Sequence, residues 1–124
     1  MGVLNSLNRQ LNEHGVEVRF SKKALDDLQA YDKGRQKEIL ALIVKRGIKG
    51  PLIRPEGIGE PLGGGLVGFT KIKSKSAGIR IIYRPVRNGL IKMEIVAIGP
   101  RDKEKVYRMA AKRLISFQQE MESE

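Results

Sequence analysis

The sequence has no cysteine and no tryptophan, one histidine (His14), and only three Tyr and three Phe. Without cysteine there is no disulfide and no thiolate metal site. With His14 as the one histidine, neither a zinc site nor a histidine-based catalytic triad is expected. No run of about eighteen apolar residues occurs, so no membrane-spanning helix is expected. The N-terminus lacks the apolar stretch of a secretory signal, which argues for a cytoplasmic location. Acids are missing just where bases are dense. From Pro61 to Arg113 there are thirteen Lys and Arg against three acids (Glu94, Asp102, Glu104), while the rest of the chain balances to zero and the whole carries +10. A segment of that sign points to a polyanionic partner, nucleic acid first and an acidic protein second.

What is there, in 124 residues, is enough for one domain with one real core. Leu4, Leu7 and Leu11 are spaced for one helix face, so residues 1–15 read as an N-terminal extension, either a short helix or a frayed leader. Val16, Val18 and Phe20 alternate with Glu17 and Arg19 as in a strand. Ser21 is placed to cap a helix carrying Ala24, Leu25, Leu28 and Tyr31. After a break at Asp32-Lys33-Gly34 a second helix is expected over roughly Arg35–Arg46, stopped by Gly47 and Gly50-Pro51. The two make a helical hairpin whose apolar stripes need a sheet to cover. Gly63 to Gly68 satisfies G-x-G-x-x-G, but a loop precedes it and a strand follows, the wrong context for a dinucleotide fingerprint.

The stretch Phe69–Tyr83 predicts a β-hairpin. With Lys75-Ser76-Ala77-Gly78 as its loop, Ser74 pairs with Ile79, Lys73 with Arg80 and Lys71 with Ile82. Lys71, Lys73 and Lys75 share a face. Like charges directly opposite one another destabilise a sheet, so this face is either simply solvated or compensated by an anionic partner. A three-residue loop at Arg87-Asn88-Gly89 then leads into a last strand, Leu90–Ile98, with Arg84 opposite Lys92, Ile82 opposite Glu94 and Arg80 opposite Val96. Gly99-Pro100 ends that strand. A third helix begins near Asp102 as N-cap and carries Val106, Met109, Ala110, Leu114 and Phe117, and residues 118–124 read as a polar tail that frays. The fold class is α+β: a small antiparallel sheet in β-α-α-β-β-β-α order, packed against a helical hairpin and a C-terminal helix.

If the last helix folds back beside the sheet, Arg101 and Tyr107 reach the face that holds Lys71, Lys73 and Arg80. Two Lys, two Arg and a Tyr, with no histidine and no metal ligands, suit cleavage of RNA by its own 2′-hydroxyl. Cations stabilise the charge that builds on the phosphate, and Tyr can stack on a base or exchange a proton. Lys75, Arg84, Lys92 and Lys103 would add backbone contacts to the RNA.

Two groups of residues resemble the RelE/ParE toxin superfamily. One is Pro61–Tyr83, with Leu62, Gly68, Lys71-Ile72-Lys73, Gly78-x-Arg80 and Tyr83. The other is Ile98-Gly99-Pro100-Arg101-Asp102-Lys103-Glu104-Lys105-Val106-Tyr107 with Ala110 and Lys112-Arg113-Leu114. The resemblance spans about Val16 to Leu114 and implies a single RelE-like toxin domain over 16–117. It implies the toxin of a type II toxin–antitoxin pair that enters the ribosomal A site on the small subunit and cuts mRNA there. Such a toxin needs no cofactor and no metal, and a cognate antitoxin neutralises it. By position, Lys71 and Lys73 would hold the phosphate backbone and assist proton transfer, Arg80 would stabilise the transition state, Arg101 would contact the scissile phosphate or act near the leaving oxygen, and Tyr107 would orient the 2′-hydroxyl nucleotide. Two other readings stay open: a ParE-like inhibitor of DNA gyrase, and a non-catalytic basic nucleic-acid-binding domain.

Overall fold

The computed structural model describes residues 2–102 and 104–123. In chain order the elements are α1 (Gly2–Asn12), β1 (Val16–Phe20), α2 (Lys22–Gln29), α3 (Lys33–Lys49), a 3-10 turn (Gly64–Leu66), β2 (Thr70–Ser74), β3 (Ile79–Asn88), β4 (Leu90–Pro100), α4 (Lys105–Lys112) and α5 (Leu114–Glu122). The strands form one sheet in the order β1-β4-β3-β2. Among the described residues no helix is long and apolar enough to cross a membrane.

The α+β class and the order of elements as far as α4 are those expected, but the sheet is not wholly antiparallel. β2, β3 and β4 are antiparallel, but the edge strand β1 runs parallel to β4, with Val16 opposite Ile91 and Phe20 opposite Ile95. The connection from β1 to its neighbour passes through the helical hairpin and two strands, which leaves either direction open. The capping residues act as expected for α2, where Ser21 Oγ accepts from Ala24 N at 3.1 Å. At α3, however, Asp32 does not only break the run. Its carboxylate caps the new helix by accepting from Arg35 N at 2.9 Å, and the helix extends to Lys49.

The basic hairpin has the expected register: Lys71↔Ile82, Lys73↔Arg80 and Ser74↔Ile79. The second hairpin does not. Pairing runs up to Asn88↔Leu90 around Gly89, so Arg84 faces Glu94 and not Lys92, and a bulge between Ile82 and Tyr83 then sets Ile82 opposite Ala97 and Arg80 opposite Gly99. Charge explains the first part of the shift, because it replaces an Arg–Lys pair by Arg–Glu. The bulge leaves Val96 as the extra residue in β4, and it re-aims the strand so that Val96 and Ala97 both enter a core.

There are two apolar layers, one on each side of the sheet. Toward α1, α2 and α3 lie Val16, Val18, Ile79, Ile81, Tyr83, Met93 and Ile95 together with Leu11, Ile39 and Ile43. On the other side Phe69, Ile82, Val96 and Ala97 are covered by Val106 and Ala110 of α4 and Phe117 and Met121 of α5. The expected single C-terminal helix is therefore two helices, and the expected frayed tail is ordered: α5 continues to Glu122. Burial of Met121 accounts for part of this. Arg19 adds to this, since its guanidinium donates to the carbonyls of Met121 (3.1 Å) and Glu120 (3.0 Å) in the last turn of the helix, where carbonyls have no partner within the helix itself. Glu120 in turn accepts from Lys22 N at 2.9 Å.

The break between α4 and α5 is held by a second link. Beyond Phe20 the edge of β4 has no strand beside it, so its polar groups need other partners. Asp27 of α2 accepts from Ile98 N (3.0 Å), and Arg113 donates to Val96 O (3.0 Å). Asp27 and Arg113 also form a two-pronged ion pair at 2.7 and 3.0 Å. This pair ties the hairpin layer to the C-terminal helices around the edge of the sheet.

Candidate functional site

Lys71, Lys73 and Arg80 stand on the α4–α5 side of the sheet, in the rows Lys71-Ile82-Ala97 and Lys73-Arg80-Gly99. α4 packs directly on the strand at Gly99. A Cβ at that position would lie 3.4 Å from Val106 Cβ and Cγ2 and 3.5 Å from Met109 Sδ, ordinary contact, so a methyl fits there but a side chain longer than alanine's would push the helix outward. The close approach brings Tyr107, one residue after Val106, over the cationic rows. Its ring centre is 5.2 Å from Arg80 Cζ and 5.7 Å from Lys71 Nζ, within cation–π range of both.

Arg101 begins the segment leading to α4, and its backbone N–H donates to Gly78 O at 2.9 Å, which fixes it beside the hairpin loop. Its charge is felt at Lys73. That exposed ammonium is held below the ordinary lysine value, first by Lys71, then by partial desolvation, Arg101, Lys75 and Arg80. Four cations thus lie within electrostatic reach of Lys73, and Tyr107 covers two of them, Lys71 and Arg80. The structure brings together Lys71, Lys73, Arg80, Arg101 and Tyr107, with Lys75 at the rim.

Other expected contact residues lie elsewhere. Arg84 is engaged with Glu94, to whose Oε1 its Nε and Nη2 donate at 3.0 and 2.8 Å. It also stacks over Phe69 (5.8 Å) and Phe117 (5.1 Å). With Glu94 buried, this guanidinium neutralises an interior carboxylate and is not presented with the cluster. Lys92 is opposite Val86, six residues along β3 from Arg80, so about 20 Å away at roughly 3.3 Å per residue. Lys103 lies outside the described residues. Asp102 is not the cap of α4: Glu104 occupies that position in the left-handed region, φ 63°.

One residue the sequence reading passed over belongs with the cluster. Glu60 Oε1 is 3.6 Å from Lys71 Nζ. The loop is pinned there by Thr70 Oγ1 donating to Glu60 O (2.7 Å) and by Leu62 N donating to Phe69 O (3.2 Å). Glu60 is the acid nearest the basic stretch on its N-terminal side, and that is the only signal the sequence carries for it. Arg80 shows the opposite condition. Its Nε is buried and has no hydrogen-bond partner among the described residues.

No family model matches the chain. It is 30% identical over 98 residues to a RelE-like toxin protein of Escherichia coli, an overlap covering 79% of this chain and 96% of that relative. The chain belongs to the RelE/ParE toxin superfamily, as a RelE-like toxin. Solved structures agree on the fold. The RelE-like chain superposes on the free toxin RelE of Escherichia coli, solved as a double arginine-to-alanine mutant, with a TM-score of 0.60 at 22% identity, covering 78% of this chain and 95% of that one. A YoeB/ParE toxin from Agrobacterium tumefaciens gives 0.51 at 22% identity, covering 67% and 96%.

Proposed function

We propose that this RelE-like toxin is a ribosome-dependent endoribonuclease that cuts mRNA in the A site through attack of the 2′-hydroxyl on its own phosphate. The observation that carries this reading is the buried, unpartnered Nε of Arg80 amid a cluster of cations under Tyr107. A buried donor without a partner is costly, and a phosphate oxygen that displaced the groups now covering it would satisfy it while spreading its charge over Arg80, Lys73 and Lys71. The Lys73 repulsion would be relieved at the same moment, since its main cause is uncompensated positive charge.

In this reading Arg80 stabilises the charge that develops on the phosphate, and Arg101 serves the leaving side. Lys71 and Lys73 hold the backbone and, with Tyr107, move the proton of the 2′-hydroxyl. Glu60 steadies Lys71. The chemistry proposed asks for no metal and no cofactor. The toxin acts in the cytoplasm, where ribosomes are, and a cognate antitoxin with an acidic or amphipathic segment neutralises it by covering the basic face or displacing α4.

The test is to add the protein to programmed ribosomes and map mRNA ends by primer extension. Cuts within the A-site codon are expected. Arg80→Ala should slow them by about 10²–10³, the usual effect of losing one charge-stabilising donor. Tyr107→Phe should slow them as well if the hydroxyl moves a proton, and leave them unchanged if the ring only stacks. Absence of cuts by the wild type refutes the reading. Inhibition of gyrase would then support the ParE-like alternative, and steeply salt-dependent RNA binding without cleavage would support a binding domain.

A further inference from the structure

On the opposite side of the sheet from the cationic cluster, α1 and α3 leave a groove of about 980 Å³ between them. Its origin is a second apolar stripe on α3. Ile39, Ile43 and Gly47 face the core, but Leu40, Val44 and Ile48 repeat at the same four-residue spacing one position on and face the groove. Ile48 is 49% exposed. At 1.5 Å per residue this floor runs about 12 Å, the distance over which an α-helix presents residues i, i+4 and i+8. Leu7 and Gln10 of α1 form the other wall.

The rim has one sign. Lys37, Lys45 and Lys49 border the groove. α1 contains no acid, and α3 has six Lys and Arg against one acid, Glu38, which is paired with Arg35 at 3.3 Å. A groove with an apolar floor of helical spacing, whose charged lining residues are all lysines of α3, is complementary to a helix with an apolar stripe flanked by Asp and Glu. A second copy of this chain would set lysine rims against each other, and a lipid surface would have to fill a concavity.

We propose that the α1–α3 groove docks an acidic amphipathic helix of a partner protein. The interaction is independent of the RNA-cleavage reading, since the groove shares no residue with Lys71, Lys73, Arg80, Arg101 or Tyr107. It also gives α1 a task beyond closing the core.

The probe is a stapled helical peptide of about fifteen residues, with leucines at the i, i+4 and i+8 positions and Glu at the flanking positions. A second peptide with the same leucines carries Lys at the flanks. Both are titrated into the full-length, isotopically labelled chain and followed by two-dimensional NMR. The Glu-flanked peptide should bind about tenfold or more tighter than the Lys-flanked one, as three rim pairs would give. Resonances of Leu40, Val44, Ile48 and Ser6–Gln10 should move. Val44→Glu and, at a more exposed position, Ile48→Glu should each weaken binding about tenfold or more, and Lys45→Glu with Lys49→Glu should abolish or invert the preference between peptides. Equal affinities, no binding at millimolar peptide, or shifts centred on Lys71 to Arg80 overturn the proposal. So does chain binding to phosphatidylglycerol vesicles, or a dimer in sedimentation, that Ile48→Glu abolishes in the absence of peptide binding, because the occupant would then be lipid or a second copy.

Discussion

Replacing Arg113 by Met tests the claim that one ion pair holds the C-terminal helices on the sheet. Methionine keeps most of the stem, so the loss is chiefly of the guanidinium. That group has its side chain 16% exposed, and its partner Asp27 13%. Breaking a fully buried pair costs about 3–5 kcal/mol because the remaining charge is stranded. The residual exposure here argues for the lower end, about 3 kcal/mol, which includes the donor lost to Val96 O. For 124 residues a loss of 1 kcal/mol lowers Tm by about 4 °C, so the variant should melt about 12 °C lower. Asp27→Asn keeps an acceptor for Ile98 N and should cost less, about 1–2 kcal/mol. If the two residues act as a pair, the double variant should fall short of the sum by about 1 kcal/mol or more. Urea and thermal unfolding followed by circular dichroism would measure all three, with equal m-values as the check that the unfolded states match. A Tm drop under about 3 °C for Arg113→Met, or strict additivity, would refute the reasoning.

Lys73→Gln should raise Tm while impairing cleavage, because it removes a charge that Lys71 and its neighbours repel. The depressed folded-state value means that the penalty is fully present below it and is relieved as pH rises through it toward 10.5, so the gain should be largest at neutral pH and shrink in high salt. Tyr83→Phe should cost about 1–3 kcal/mol by stripping the hydroxyl that donates to Pro51 O, read by urea unfolding. Wild-type stability should also decline above about pH 10, where an exposed Tyr ionises in the unfolded chain but burial keeps the Tyr83 hydroxyl protonated in the fold. Gly99→Ala should be near neutral in unfolding experiments, whereas Gly99→Leu should lose about 1–3 kcal/mol and quench cleavage, since α4 and Tyr107 must move outward.

The basic hairpin was legible because every signal for it is local. Lys75-Ser76-Ala77-Gly78 sets a four-residue loop, period-2 alternation sets the faces, and the register Lys73↔Arg80 follows from those alone. The next hairpin has equally clear turn residues at Asn88-Gly89, yet its register moved by two and acquired a bulge. No sequence-local term records that Glu94 would be buried against Arg84 and two phenylalanines, or that Val96 O would be claimed by Arg113. Arg84 looked like an RNA contact for the same reason: its charge is visible in the sequence, but its partner ten residues on is not. The polar-looking end of the chain is ordered by Met121, which the sheet buries, and by Arg19, about a hundred residues away, and its own composition does not record the second.

The α+β class, the order of the elements from β1 to α4, the excess of positive charge in one segment and the residue types available for chemistry are all readable from the chain without its fold. Each of these depends on composition, periodicity or short-range turn geometry. Only the tertiary structure decided which cations meet. α4 packs on β4 at Gly99 and carries Tyr107 over Arg80 and Lys71, the loop before β2 delivers Glu60, and the Asp27–Arg113 pair closes the open edge of β4. The contacts of Tyr107 and of the Asp27–Arg113 pair join residues 27 to 86 positions apart in the chain. Their geometry is set by how two apolar layers pack on one sheet, a condition that no local stretch of sequence can state.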